Sequence, residues 1–555
     1  MSFVRTATLA RRKNLQAVSR AVATDASAAR LIHRAAFGAT AAEIASVRSV
    51  GYRAWVEAQL ASTTPMLIRT LPNVLGFPDP NNYSSETPFT YHAFTSSDQL
   101  RIRVANALNI FFPINMRIGA AANYARRDWG QLLVDGAFGN FRTLIENVSK
   151  NTFMGVWLSF KGNAKATGNT QPDENYAREI MQLFTLGLWE LNLDGTRKKT
   201  GTLNPTDPRY VPNGTADVPT YTLSDIRGLS RVFTGWSGTN YWDAGFGSYE
   251  SADGPMIQYP AYHELGLKEF LGVTIPPNTD GQASLTIALD TLFNNTNLPP
   301  FFCKQMIQRL VTSNPSPEYV ARVASAFVRD PITGTRGDMK AVWRAILLDQ
   351  EALAPATLSN PKFGKLRDPF VASVSRYRGL SPLVVGNLGS AVGPESGLVA
   401  MALNSNNSPK SGQFPMIFPS VFGNFLFDHS PAGEMAAAGL LAPEFQMLGE
   451  TSLALEASVR ANTDRNDLDY VGFDSSWGGA SSVNGDITLY RADSISNTPA
   501  LVDRLILVLA PEQINSETRA TILTRVNEIS ADNWQFRFHT AWQMIIASPN
   551  HWVQR

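Results

Sequence analysis

Glu174-Asn-Tyr-Ala-Arg-Glu-Ile-Met-Gln-Leu-Phe-Thr-Leu-Gly187 is the stretch on which the reading of this chain turns. At 100° per residue, Tyr176, Ile180, Leu183 and Phe184 share one side of a helix. Asn175, Arg178, Glu179 and Gln182 share the other. Glu174 and Arg178 stand i, i+4 and can form an ion pair. The same period recurs over 98–112, 127–150, 172–187, 222–234, 283–293, 300–312, 316–329, 337–349, 500–510, 515–529 and 534–547. Several of these begin at Ser, Thr or Asp, or carry Pro in the first turn. Thr40-Ala-Ala-Glu43 reads as a capping box, followed by an apolar face of Ile44, Val47, Trp55, Val56 and Leu60 that Gly51 interrupts. Strand-like alternation is rare and short. The chain is therefore predicted to be mainly α, with little strand.

The segments between these helices are long. Loops are expected near 192–220, 237–262, 379–432 and 462–499, where Gly, Pro, Ser, Asn and Asp gather. Aromatic residues within them, such as Tyr241, Trp242, Phe246, Phe418 and Phe425, argue for ordered, packed loops. No composition break resembles a flexible linker, and no internal repeat is visible. The expected organisation is a basic segment over 1–29 and a single large multi-helical domain over 30–555.

Composition narrows the function. The 555 residues include 48 basic and 47 acidic ones, for a net charge of +1. No global field draws the chain to nucleic acid or to anionic lipid. Charged residues are 17% against roughly 25% in an ordinary soluble domain, and the chain is rich in aromatics, which excludes disorder. No apolar run is long enough for a membrane span. The arginines before residue 31 precede no apolar stretch of the secretory kind, so no signal peptide is visible. A single cysteine, Cys303, rules out an intramolecular disulfide framework and a cysteine-based metal centre; it reads as a buried hydrophobe. The six histidines form no close pair, and His33 reads as a packed helix residue. Walker loop, dinucleotide fingerprint and nucleophile elbow are all missing, so no cofactor and no metal are expected.

From Leu31-Ile-His-Arg-Ala-Ala-Phe-Gly38 onward the chain resembles the bacterial "domain of unknown function 1800" family. The resemblance continues through 174–187, Tyr221-Thr222 with Asp225, Phe233-Thr-Gly-Trp236, His263-Glu-x-Gly-x-Lys268 and Phe270-Leu-Gly272. Asn314-Pro-Ser-Pro317, Phe363-Gly-Lys-Leu-Arg-Asp-Pro369, Pro419-Ser-Val-Phe422, Leu441-Ala-Pro-Glu444 and Ser548-Pro-x-x-x-Val-Gln554 complete it, in family order. Asp173, Glu264 and Gln182 depart from the usual Asn, Asp and Glu. Members of this family are typically exported and often encoded beside proteins resembling sulfatases. The resemblance thus implies an extracytoplasmic location and a co-encoded sulfatase-like protein as one possible partner. It brings no settled activity.

Within those motifs the chemistry-bearing candidates are Glu174, Glu179, Asp225 and His263. A carboxylate pair drawn from Glu174, Glu179, Asp225 and Glu264 would serve as acid and base or nucleophile in a hydrolase acting on a polysaccharide. Separation of about 5 Å would mean retention and about 6.5–9.5 Å inversion. His263 beside Glu264 suits acid–base work or one metal ligand. Asn175, Arg178 and Lys268 would hold substrate, and Trp236 and Trp242 would stack on sugar rings. Each has a plainer reading: Asp225 as the third residue of a capping box opened by Thr222, Trp236 as core, and the 175–182 polar face as a solvated surface. Two alternatives stand beside the hydrolase: a non-enzymatic cell-surface binding or assembly protein, and a metal-dependent hydrolase using His263.

Overall fold

Helix entries carry the caps that the sequence spacing asks for. In the computed structural model, which describes residues 23–69, 86–115, 123–238, 246, 254–380, 382–385, 398–402, 413, 415–448 and 482–555, Thr40 accepts the Glu43 N–H. The Glu43 carboxylate returns to the Thr40 N–H at 3.0 Å. Gly51, at φ +85°, then separates helices Ala41–Val50 and Tyr52–Ala61. Asp280, Ser316, Asp338 and Asp368 cap later helices by accepting the N–H three residues on.

The described residues form 22 α-helices and only short antiparallel strand pairs, so the fold is mainly α. The expected helix over 127–150 is two, Asn123–Gly136 and Phe141–Lys150. Asn140 caps the second, and a side chain at Gly136 would meet Leu144 at 2.6 Å. Apolar faces from Ala23 to Ile546 join in one continuous buried cluster.

The loops are partly structured. Residues 192–220 fold back through the bridges Leu191↔Arg197 and Lys199↔Asp217. Strand Trp236–Ser237 pairs with Ile257–Gln258 around the next loop. Pro382–Val385 and Leu398–Ala402 flank Ser482–Asp486 in a three-stranded sheet. The loop expected over 462–499 is corrected: its described part contains that strand, helix Arg491–Ser496 and the start of Thr498–Leu509. Short, Gly- and Asn-rich stretches hide such elements from periodicity. Residues 1–22, Trp242 and residues 462–469 lie outside the described residues.

Three pieces position the candidate residues. Helix Asn175–Gln182 packs against helix Leu223–Ser230, and the latter lies on the hairpin Lys268–Phe270 and Val273–Ile275. The approach is so close that a Cβ on Gly228 would sit 1.7 Å from the Glu269 carbonyl oxygen, and only glycine permits it. The hairpin turns on Leu271 and Gly272, both at positive φ, the requirement of a tight two-residue turn.

Candidate functional site

The 175–182 helix buries its Tyr176 face, as the period requires. Tyr176 stacks on Phe160 at 3.9 Å, meets Phe233 edge-on, and donates its hydroxyl to Ser149 at 2.7 Å. The opposite face is less open than an amphipathic reading suggests. Glu179 is only 6% exposed, and its Oε2 has no hydrogen-bond partner among the described residues. Burial pushes its carboxyl up to about 7 against the pull of the Arg178 guanidinium. Tyr221 lies beside it, its own phenol raised to about 12 by burial and by the Glu179 charge, and donates to Gln182 Oε1 at 3.2 Å. Glu179, Gln182 and Tyr221 thus form one polar group on the helix, with Arg178 next to it.

Glu174 stands at the open end of that helix, holding Arg178 at 3.2 Å and Arg227 at 3.3 Å. Asn175 donates its side-chain amide to Ser159 Oγ at 3.3 Å and its backbone N–H to the Asp173 carboxylate at 2.7 Å. Arg178, which Glu174 holds, links this end of the helix to Glu179.

The remaining candidates make contacts with the surrounding fold. Asp225 completes the capping box with Thr222 and also accepts the Leu271 N–H, so both carboxylate oxygens are engaged. His263 is 1% exposed. Its Nδ1 lies 3.0 Å from the Thr234 carbonyl oxygen, which suits Nδ1–H as donor, and its Nε2 is buried without a partner. Burial first, then the Lys268 charge, lower its pKa, so the ring is neutral at pH 7. Glu264 caps its own turn through the Gly266 N–H at 2.8 Å. Lys268 is buried and reaches the Gly266 carbonyl oxygen at 3.4 Å. Trp236 is 3% exposed and packed in the core, so it presents no face to a sugar ring; the plainer reading of that residue is the one the structure supports. Among the described residues no three or more His, Cys, Asp or Glu side chains are grouped to hold a metal ion, around His263 or elsewhere.

A second polar centre went unread in the sequence. Lys365 and Glu444 form a salt bridge of 2.7 Å at 1% and 2% exposure. Arg367, also buried, donates to the His551 and Leu509 carbonyl oxygens and to His33 Nδ1. His33 Nε2 faces the Val508 carbonyl at 3.0 Å, which fixes the proton on that nitrogen. Its pKa is held far below the ordinary value by burial and by the Arg367 charge. Lys365 pairs in register with Gln554, whose amide reaches the Leu310 carbonyl oxygen. The segments 31–38, 363–369, 441–444 and 548–554, far apart in sequence, therefore meet here. One signal was available: Gln99, Arg103 and Asn106, with Gln305, Gln308 and Arg309, repeat at helical spacing on helices that are mostly apolar elsewhere. Their polar stripe faces inward.

A mainly helical chain with a polar group on one short helix and a buried arginine-rich centre is the class the fold defines. The chain belongs to the family described as "Protein of unknown function (DUF1800)", which matches residues 30–553. No curated protein and no solved structure matches it. Among the described residues no helix is long and apolar enough to cross a membrane.

Proposed function

We propose that this chain is a hydrolase in which Glu179 is the proton donor, with an extracellular polysaccharide as substrate. The supporting observation is the Glu179 carboxyl, buried, with Oε2 unpartnered and its pKa raised to about 7. A carboxyl so poised is about half protonated at neutral pH, and can give a proton to a leaving oxygen and take one back. Strong burial shifts with a specific charged neighbour are typical of working groups. Glu174, at the start of the Glu179 helix and held by Arg178 of that helix and Arg227 of its neighbour, is the candidate second carboxylate. An extracytoplasmic location, and a co-encoded sulfatase-like partner, belong to the same proposal and rest on the family.

The test is turnover of a polysaccharide panel by the natural chain and by Glu179→Gln. Turnover by the natural chain that Glu179→Gln retains removes Glu179 from the mechanism. If no polymer is cleaved, the second reading stands, a non-enzymatic cell-surface binding or assembly protein. What favours it is that Asp225, His263, Lys268 and Trp236 are all engaged or buried within the fold.

A further inference from the structure

The buried centre around Arg367 has more positive charge than the fold neutralises. Its connected members are Arg103, Arg309, Arg367 and Lys365 against Asp368 and Glu444, all buried. Arg103 feels both carboxylates, Arg309 feels Glu444, Arg367 feels Arg103, and Lys365 pairs with Glu444. Arg376, buried and acting on Arg367, adds a further cation, so cations outnumber carboxylates in this centre among the described residues and leave a surplus of positive charge. Deprotonation does not remove it: burial brings Arg309 down to about 10 and Arg367 to about 9, so both stay charged at neutral pH.

The hydrogen bonding is equally incomplete. Arg103 Nε and Nη1, Arg309 Nε, Arg367 Nε, Gln305 Nε2 and Asn106 Nδ2 are buried donors without a partner among the described residues. Helices Gln99–Phe111 and Leu298–Leu310, which carry five of these six atoms, touch where Arg103 Nη2 donates to the Arg309 carbonyl oxygen at 3.0 Å. Phe37 lies under the Arg103 guanidinium and Phe111 under that of Arg309, each at 5.7 Å, so both forks are held in place. Unsatisfied buried donors and uncompensated buried cations are each costly, and an anion cures both at once. The same centre holds unpartnered acceptors, Glu444 Oε2 and Gln308 Oε1. Those call for a ligand that also has a hydroxyl to give.

We infer that this centre binds a small dianionic oxyanion carrying its own hydroxyl, of the phosphate class, between the Arg103 and Arg309 helices with Glu444 accepting the ligand proton. Guanidiniums present planar N–H pairs that fit such oxygens, and a protonated oxygen matches the carboxylate. Sulfate has the charge but no proton at neutral pH, so it should bind more weakly. None of these residues belongs to the Glu179 group, and the inference stands apart from the hydrolase proposal.

The experiment uses the full chain, dialysed free of phosphate. Inorganic phosphate, sulfate and malonate are titrated calorimetrically against a sodium chloride control at equal ionic strength. A sample denatured without prior dialysis is assayed for released phosphate. Saturable binding of about one phosphate per chain, tighter than sulfate or malonate, is expected; Arg103→Gln should weaken it roughly tenfold or more. The exposed Arg48, paired with Asp25, serves as the control in Arg48→Gln and should leave it unchanged. If Arg103→Gln does not fold, Gln305→Leu gives the same reading through a neutral donor. Phosphate heat no larger than the chloride control, with no phosphate released, overturns the inference and leaves these donors to water. A preference for sulfate overturns the role given to Glu444.

Discussion

The Asp225 carboxylate ties a helix start to a hairpin turn: Oδ1 accepts the Leu271 N–H at 2.6 Å. Its Oδ2 takes the Thr222 N–H at 2.7 Å and hydroxyl at 2.6 Å. Leu271 has φ +48°, a conformation leucine rarely adopts, and the charged acceptor holds it there. Losing a cap costs about 1 kcal/mol, and a hydrogen bond to a charged group about 1.5–3 kcal/mol. Asp225→Ala should therefore destabilise the chain by about 2–4 kcal/mol, read as a lower urea midpoint. Asp225→Asn, which keeps an acceptor, should cost less. A loss under about 0.5 kcal/mol for Asp225→Ala would match an ordinary surface change and end this account.

The Lys365–Glu444 pair makes a different kind of prediction. Both groups are buried, so removing one strands the other in a medium that solvates it poorly. Lys365→Met alone should cost about 3–5 kcal/mol. The double variant Lys365→Met with Glu444→Leu should recover most of that. A thermodynamic cycle by urea unfolding measures the recovery, and additive losses would show that the two do not act together.

Acid should weaken the fold through its histidines. Burial, the leading cause in every case, lowers the pKa of His33, His92, His263, His539 and His551. The folded value lies below the unfolded one, so below about pH 6.5 the unfolded chain binds more protons and stability falls with pH. His92 and His539 stand at about 4, so their share is lost between about pH 6.5 and 4. Each shift corresponds to an effect on the order of 3 kcal/mol. Unfolding free energy measured from pH 7.5 to 4.5 should fall steeply, and His539→Leu should flatten the slope by about one proton. A flat profile would contradict the burial of these rings.

Much of this fold is legible in the chain because its helices announce themselves by caps and by apolar spacing. The Thr40–Glu43 and Thr222–Asp225 boxes form as the spacing predicts. What periodicity leaves open is which polar faces meet water. Arg103 and Arg309 occupy the polar sides of amphipathic helices, and such a pattern is the same whether the polar side looks out or into a shared centre. Only tertiary contact decides between the two. Glu179 has the same ambiguity within one helix: Arg178 next to it is part-exposed, while the carboxyl turns inward beside Tyr221. Trp236 and His263 lie in loop-like sequence held in the core by the Trp236–Gln258 pairing and the Thr234–His263 contact, a closeness no local rule encodes.

Glu179 sets the last prediction, and its sign opposes that of the histidines. Burial raises its pKa from the ordinary 4.5 to about 7. The folded state therefore holds this proton more tightly than the unfolded state. The favourable contribution is complete below about pH 4.5 and is lost as pH rises through about 7. The difference is on the order of 3 kcal/mol. Glu179→Gln cannot ionise and should be more stable than the natural chain at pH 8, with the gap closing toward pH 4.5. If Glu179 is the proton donor, the same variant should lose roughly 10²–10⁴-fold in turnover, and the natural chain's rate should fall above about pH 7. The two readouts separate the claims: added stability with unchanged turnover leaves a buried structural carboxyl, whereas loss of turnover in a more stable protein marks a group kept protonated at a cost to the fold.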